Sequence, residues 1–308
     1  MSIVLTKIFV VEDKFMFMFG LEKLSNLSQR IIAGIVGGGM LINAIYWSKW
    51  TFLGLFFALM LLCLWEFYGL LEKSGYKPMK ILGIGLASLL YLIGQESFRT
   101  LHHIFFPKIE TPGFSIFSHF MLLSFIVIPL VIATFFIVKL YDKHDNKSFE
   151  HIGLTLLGVL YVGLPFKFIN DIGFEKDQNL VILGILFCLW ASDSGAYFAG
   201  KSFGKHKLFE RISPKKTWEG LLGGFILSEL VAFILSLYFK VLAPWQWLGV
   251  SAIIVVFGTY GDLVESMLKR NLQIKDSGSL IPGHGGFLDR FDGLLIAMPF
   301  VFAFLKWE

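Results

Sequence analysis

Charge is scarce in this chain. Only 16% of its 308 residues are Asp, Glu, Lys or Arg, against roughly a quarter in soluble domains. With 56% hydrophobic residues and a mean hydropathy of +0.70, it has too little polar surface to coat a water-soluble globule. The composition excludes an ordinary soluble enzyme and points to a polytopic membrane protein. Cysteine is nearly absent. The two residues present, Cys63 and Cys188, both lie in apolar runs. That excludes a disulfide framework and a cysteine-based zinc site, leaves the redox compartment undecided, and predicts two buried small hydrophobes. The net charge of +4 is modest, so its distribution matters more than its size, and no nucleic-acid partner is expected. No internal repeat or low-complexity tract is present. No cleavable signal peptide is expected, because Glu12, Asp13 and Lys14 interrupt the apolar start. Residues 1–28 read as an amphipathic or loosely ordered extension, and 29–308 as one integral membrane domain.

What is abundant is long apolar sequence. Nine candidate spans are expected, at 31–48, 50–71, 79–95, 118–139, 151–168, 178–200, 218–240, 245–265 and 291–307. Each is close to the about 20 residues needed to cross a hydrocarbon core. If the N-terminus is cytoplasmic, 20 of the 27 Lys and Arg fall in the inside segments. This bias has the direction of the positive-inside rule and places segments 201–217 and 266–290 on the cytoplasmic face. The expected fold is therefore all-α: a polytopic membrane bundle of about nine helices joined mostly by short loops. The connection 96–117, with Pro107 and Pro112, reads as a structured re-entrant or interfacial loop. Glycine pairs Gly34/Gly38 and Gly220/Gly224 have the spacing that lets helices approach closely.

The little charge there is concentrates. Residues 266–293 read SMLKRNLQIKDSGSLIPGHGGFLDRFDG. They hold Lys269, Arg270, Lys275 and Arg290, the carboxylates Asp276, Asp289 and Asp292, His284, and five glycines. Cations bind phosphate oxygens, aspartates hold a divalent cation, and glycines let backbone N–H groups approach an anion. Ahead of this segment, Asp262 and Glu265 sit at the end of an apolar span, and helical spacing puts Asp262 and Ser266 on one face. Asp193, Glu66 and Glu229 are further carboxylates inside spans, where acids are costly and face a polar interior. For Glu66 and Glu229 the plainer reading is a bond to a neighbouring helix. A second cluster, Ser213-Pro214-Lys215-Lys216-Thr217, stands at the start of a span, where helix N-termini favour anions. Lipid-headgroup anchoring is its plainer reading when it is taken alone. Residues Gly195 to Ser202 fit the P-loop pattern formally, but no strand precedes them, so the motif is declined. His102, His103, His119, His144, His151 and His206 lack metal-ligand spacing and read as loop or interfacial residues.

The run from Ser266 through Lys269-Arg270, Lys275-Asp276 and His284-Gly285-Gly286 to Asp289-Arg290-Phe291-Asp292 resembles the signature of the phosphatidate cytidylyltransferases (CDP-diacylglycerol synthases). The stretch from Asp193 to Gly220 looks like an upstream conserved region of the same family. The resemblance implies transfer of a cytidylyl group from CTP to phosphatidate, with pyrophosphate released. It implies Mg²⁺, with a second cation left open, at Asp262 and Asp289, with Asp292 as a third ligand or supporting partner. Lys215, Lys216, Lys269, Arg270 and Arg290 are expected on the substrate phosphates. His284 has three readings, a general base, a phosphate donor or a loop-shaping residue; orienting or binding a phosphate is the expected one, since an ionised phosphate monoester needs no base. Ser213, Thr217, Ser266, Lys275, Asp276, Gly285 and Gly286 are expected to shape the pocket, and Asp193 to close it. The expected partners are CTP, phosphatidate and the bilayer of the cell (inner) membrane, with the site facing the cytoplasm and a homodimer left open. Two rivals stand beside this reading: a related transferase acting on another lipid phosphate, and a transporter.

Overall fold

The computed structural model describes residues 26–92, 116–143, 145–174, 178–274, 277–278 and 285–306. They form helices α1 (Asn26–Trp47), α2 (Lys49–Lys73), α3 (Lys80–Leu92), α4 (Ile116–Leu140) and α5 (Ser148–Gly158). A π-helical turn, Val159–Gly163, carries α5 directly into α6 (Leu164–Gly173). Then come α7 (Asn179–Phe203), strands β1 (Lys207–Phe209) and β2 (Ser213–Thr217), α8 (Trp218–Tyr238), α9 (Pro244–Asn271) and α10 (Leu288–Lys306).

Each of the nine expected spans falls on a helix. Among the described residues five stretches are long and apolar enough to cross a membrane: α2, the composite Ser148–Gly173, α7, α8 and α9. Gly34–Trp47, Lys80–Leu92 and Ile128–Leu140 are shorter apolar helices. The all-α expectation needs one correction. The segment 201–217, read as a charged loop, pairs β1 with β2 as an antiparallel hairpin, Lys207 opposite Thr217 and Phe209 opposite Ser213. A second correction concerns 266–290: α9 runs on to Asn271, so Ser266, Lys269 and Arg270 are helical. Residues 1–25 of the expected extension 1–28, residues 96–115 of the expected connection 96–117 with Pro107 and Pro112, and Lys275, Asp276 and His284 lie outside the described residues.

Local chemistry explains the helix ends. Ser48 caps α2 by accepting from the Trp50 amide at 3.2 Å. Thr217 caps α8 by accepting from Gly220 at 3.1 Å, and Pro244 opens α9, where a missing amide costs nothing. The core centres on α2, whose Phe52, Phe56, Met60, Leu64, Phe67 and Tyr68 are wholly or almost wholly buried. The Tyr68 hydroxyl donates to the Thr155 carbonyl at 2.7 Å, tying α2 to α5. Cys63 and Cys188 are free and buried, as expected.

Contacts sort the connections into two ends. At one, the Met79 amide donates to Thr155 Oγ1 at 2.9 Å and Glu66 accepts from the Leu288 amide at 2.9 Å. The end of α2, the starts of α3 and α5, the hairpin, the end of α9 and the start of α10 share that end. Asp145 lies there too. It accepts from the Lys147 amide at 2.9 Å and its carboxylate meets the ring of His151 at 2.7 Å and the ammonium of Lys139. Of the two readings given for His151, loop or interfacial, the loop one fails: it is a buried residue in the first turn of α5, with its ring on Asp145. At the other end, Asn179 donates to the Ile45 carbonyl at 2.9 Å and Trp247 to the Phe239 carbonyl at 3.1 Å.

Candidate active site

Two close helix crossings build the site. Along α7 and α8 the facing residues are small. A Cβ on Gly195 would lie 2.5 Å from the Gly223 carbonyl oxygen, and one on Gly224 would lie 2.7 Å from that of Ser192. The Gly220/Gly224 expectation thus holds on the structure. The Gly34/Gly38 expectation does not: among the described residues a Cβ on Gly34 meets nothing within 4 Å, and one on Gly38 meets only the Trp190 ring at 3.8 Å. Along α9 and α10, a Cβ on Gly261 would lie 2.3 Å from the Asp292 carbonyl oxygen. Any larger residue would separate the acid-bearing faces of these two helices.

A cavity of about 230 Å³ opens between α7, α8, α9 and the hairpin. Asp193 and Ser192 of α7, Lys215 and Lys216 of β2, and Thr259 and Asp262 of α9 supply its polar lining. The Lys216 ammonium contacts the Asp262 carboxylate, so residues 46 apart in sequence meet. Strand pairing places the lysines there. The hairpin folds back so that the Trp218 amide donates to the His206 carbonyl at 3.0 Å, and Glu219 accepts from the His206 amide at 3.2 Å and faces its ring at 2.6 Å.

From the cavity a row of acids continues between α9 and α10. Asp262 and Glu265 of α9 stand close enough to Asp292 and Asp289 of α10 for their charges to act on one another. Lys269 bridges the far end, donating to Glu265 at 3.0 Å and to Asp289 at 2.7 Å. Asp289 also accepts from the Gly286 amide at 2.9 Å and the Ser277 amide at 3.3 Å. It sits in the first turn of α10, where the helix dipole favours a negative charge. Gly285 has φ +80 and a Cβ there would lie 2.7 Å from Asp289 Oδ2, so both backbone and space call for glycine.

The sequence-predicted residues divide accordingly. Asp193, Lys215, Lys216, Thr217 and Asp262 line the cavity. Lys269, Asp289 and Asp292 belong to the acid row. Gly285 and Gly286 shape the carboxylate of Asp289 rather than the cavity wall. Ser213 begins β2, and Ser266 is half-buried one turn beyond Asp262. Arg270 is exposed on the last turn of α9, and Arg290 lies close enough to Asp193 to act on it electrostatically. Glu265 and Ser192 complete the site without having been selected. Glu265 carried a signal, an acid inside an apolar span, whereas Ser192 carried none. Glu229 does not line the cavity.

No group of three or more His, Cys, Asp or Glu among the described residues is gathered as a closed metal site. The donor set still suits magnesium. The oxygens are hard carboxylates, the acids outnumber the cations beside them, and Glu265 Oε1 is buried with no hydrogen-bond partner. Magnesium keeps most of its water and binds through one or two carboxylates plus substrate phosphates, so a closed protein cage is not required.

The fold and site define a multi-pass membrane helical protein with a cavity lined by lysines and aspartates at one end of its bundle. The sequence pattern of the "Cytidylyltransferase family" matches residues 28–307, and the chain belongs to that family. A protein of Bacillus subtilis named phosphatidate cytidylyltransferase is 33% identical over 287 residues, covering 91% of this chain and 98% of its own length. One of that name from Staphylococcus aureus (strain COL) is 42% identical over 174 residues, covering 55% of this chain and 65% of its own. The Staphylococcus epidermidis protein of the same name is 39% identical over 173 residues, with the same two coverages.

Proposed function

We propose that this chain is a CTP:phosphatidate cytidylyltransferase. A phosphate oxygen of phosphatidate attacks the α-phosphorus of CTP, the bond to the β-phosphate breaks, and CDP-diacylglycerol and pyrophosphate result. The observation that carries this reading is the match to the Bacillus subtilis phosphatidate cytidylyltransferase along nearly the whole of both chains.

Two anions must meet, and the protein's work is to offset their repulsion and align them. Lys215 and Lys216 bind phosphate oxygens at the cavity mouth, joined by Lys269, Arg270 and Arg290. The cavity is smaller than the roughly 300–1,000 Å³ of a typical ligand site. It therefore receives the reacting phosphates, while the base and the acyl chains lie outside it. Arriving phosphates take over Lys216 from Asp262, which frees that carboxylate. Asp262 and Asp289 would hold magnesium, with Asp292 as third ligand or supporting partner. When bound, magnesium would supply positive charge to offset that on the substrate phosphates and the leaving pyrophosphate. Ser213, Ser266, Lys275, Asp276 and the Gly285–Gly286 backbone shape the surroundings, His284 orients a phosphate, and Asp193 bounds the cavity on the α7 side.

The chain crosses the cell membrane with nine helices. Its N-terminus and active site face the cytoplasm, where CTP is found. Purified protein in detergent should move label from the α-phosphate of CTP into lipid when given phosphatidate and magnesium. Asp289→Ala should stay in the membrane and abolish transfer. Near-wild-type turnover in that variant would remove Asp289 from the ion, and label entering a different lipid phosphate instead would reassign the acceptor.

A further inference from the structure

Glu66 lies on α2, 222 positions before Leu288 of the signature, yet its carboxylate is built into the signature's backbone. It is buried, 6% exposed, and Oε2 accepts from the Leu288 amide at 2.9 Å, at the first turn of α10. Two glycines make room for it: a Cβ on Gly278 would lie 2.6 Å from Oε1, and one on Gly286 would lie 2.4 Å from Oε2. The same short segments hold Asp289, through the amides of Gly286 and Ser277. Ser277 Oγ is itself 2.3 Å from where a Gly286 Cβ would stand. One carboxylate thus clamps both backbone passes that fix the other.

From this nesting we infer that Glu66 is a positioning residue for cytidylyl transfer. By hydrogen-bonding the start of α10 and packing against Gly278 and Gly286, it fixes the orientation of Asp289. It touches neither substrate. The inference rests on the reading that Asp289 serves the reaction. A carboxylate displaced by about 1 Å in such a site costs up to about 100-fold in rate.

The test compares Glu66→Ala, Glu66→Gln and Gly286→Ala with Asp289→Ala, all as full-length protein in detergent at saturating magnesium. Glu66→Ala is expected to lower kcat roughly 10- to 100-fold, with KM for phosphatidate nearly unchanged. Hydrogen–deuterium exchange over residues 285–289 should quicken in the same variant. Glu66→Gln keeps an acceptor for the Leu288 amide and should recover most of kcat and of the protection. Gly286→Ala, which crowds the clamp from the other side, should lose kcat as Glu66→Ala does. Unchanged kcat and exchange in Glu66→Ala would overturn the inference. So would a Glu66→Gln protein that folds, keeps its protection and is as inactive as Glu66→Ala, since the charge and not the hydrogen bond would then matter. Should Glu66→Ala fail to fold, Glu66→Gln and Gly286→Ala decide alone. Activity in Asp289→Ala would instead sink the role of Asp289, whatever the Glu66 variants do.

Discussion

Lys215 and Lys216 are adjacent in sequence but differ in circumstance. Lys216 is half-buried and held by Asp262, while Lys215 is exposed at the cavity lining. Lys215→Ala should therefore leave folding alone and raise KM for CTP about three- to tenfold, the worth of one charge-assisted contact at a partly exposed site. An unchanged kinetic profile would return Lys215 to anchoring at the headgroups. Asp145 offers a stability test outside the spans. Burial opposes its ionisation, but hydrogen bonds from His151, Lys139 and the Lys147 amide outweigh that and hold its carboxyl well below the usual range. A depressed folded pKa contributes stability above the unfolded value of about 3.9 and loses it as pH falls further. Asp145→Asn should thus melt below wild type at neutral pH, with the gap closing as pH falls below about 4. A gap of constant size across that range would contradict this account.

Helices carry more of the design than loops do, and they were also the more legible part. Long apolar runs bounded by Lys and Arg marked the helices of the described residues, because length and hydropathy are local properties, but they missed the end of α9, whose last turns are charged. The hairpin escaped because strands of three and five residues, one containing Pro214, leave almost no periodicity. Glu66 was seen as an acid in a span, but its partner Leu288 is 222 positions away and only folding joins them. Identical four-residue glycine spacing gave opposite outcomes at Gly34/Gly38 and Gly220/Gly224. The facing residues decide: α7 offers Ser192, Gly195 and Ala199 to α8, whereas on another part of its surface it offers Trp190 to Gly38. The prediction at this scale follows. Gly195→Val should force α7 from α8, cost about 1–3 kcal/mol through overpacking and lower Tm. It should also reduce activity, because Asp193 stands two residues away. A Tm equal to wild type would mean that the crossing yields.

For the whole molecule, orientation can be read with chemistry the chain already permits. Both native cysteines are buried, so a single added thiol reports its own position. Lys205→Cys, beside the hairpin, should react with a membrane-impermeant maleimide only after cells are opened. Lys240→Cys, at the far end of α8, should react in intact cells. The reverse pattern would invert the topology. The gathering of the lysine hairpin and the acid row at one end of the bundle, between helices whose other faces are apolar, has one more consequence. In the proposed reaction one substrate would arrive by three-dimensional diffusion from water and the other by two-dimensional diffusion within a leaflet. Turnover should then follow the mole fraction of phosphatidate in the micelle or bilayer rather than its bulk molarity, and dilution with inert lipid should slow the enzyme even when no substrate is removed.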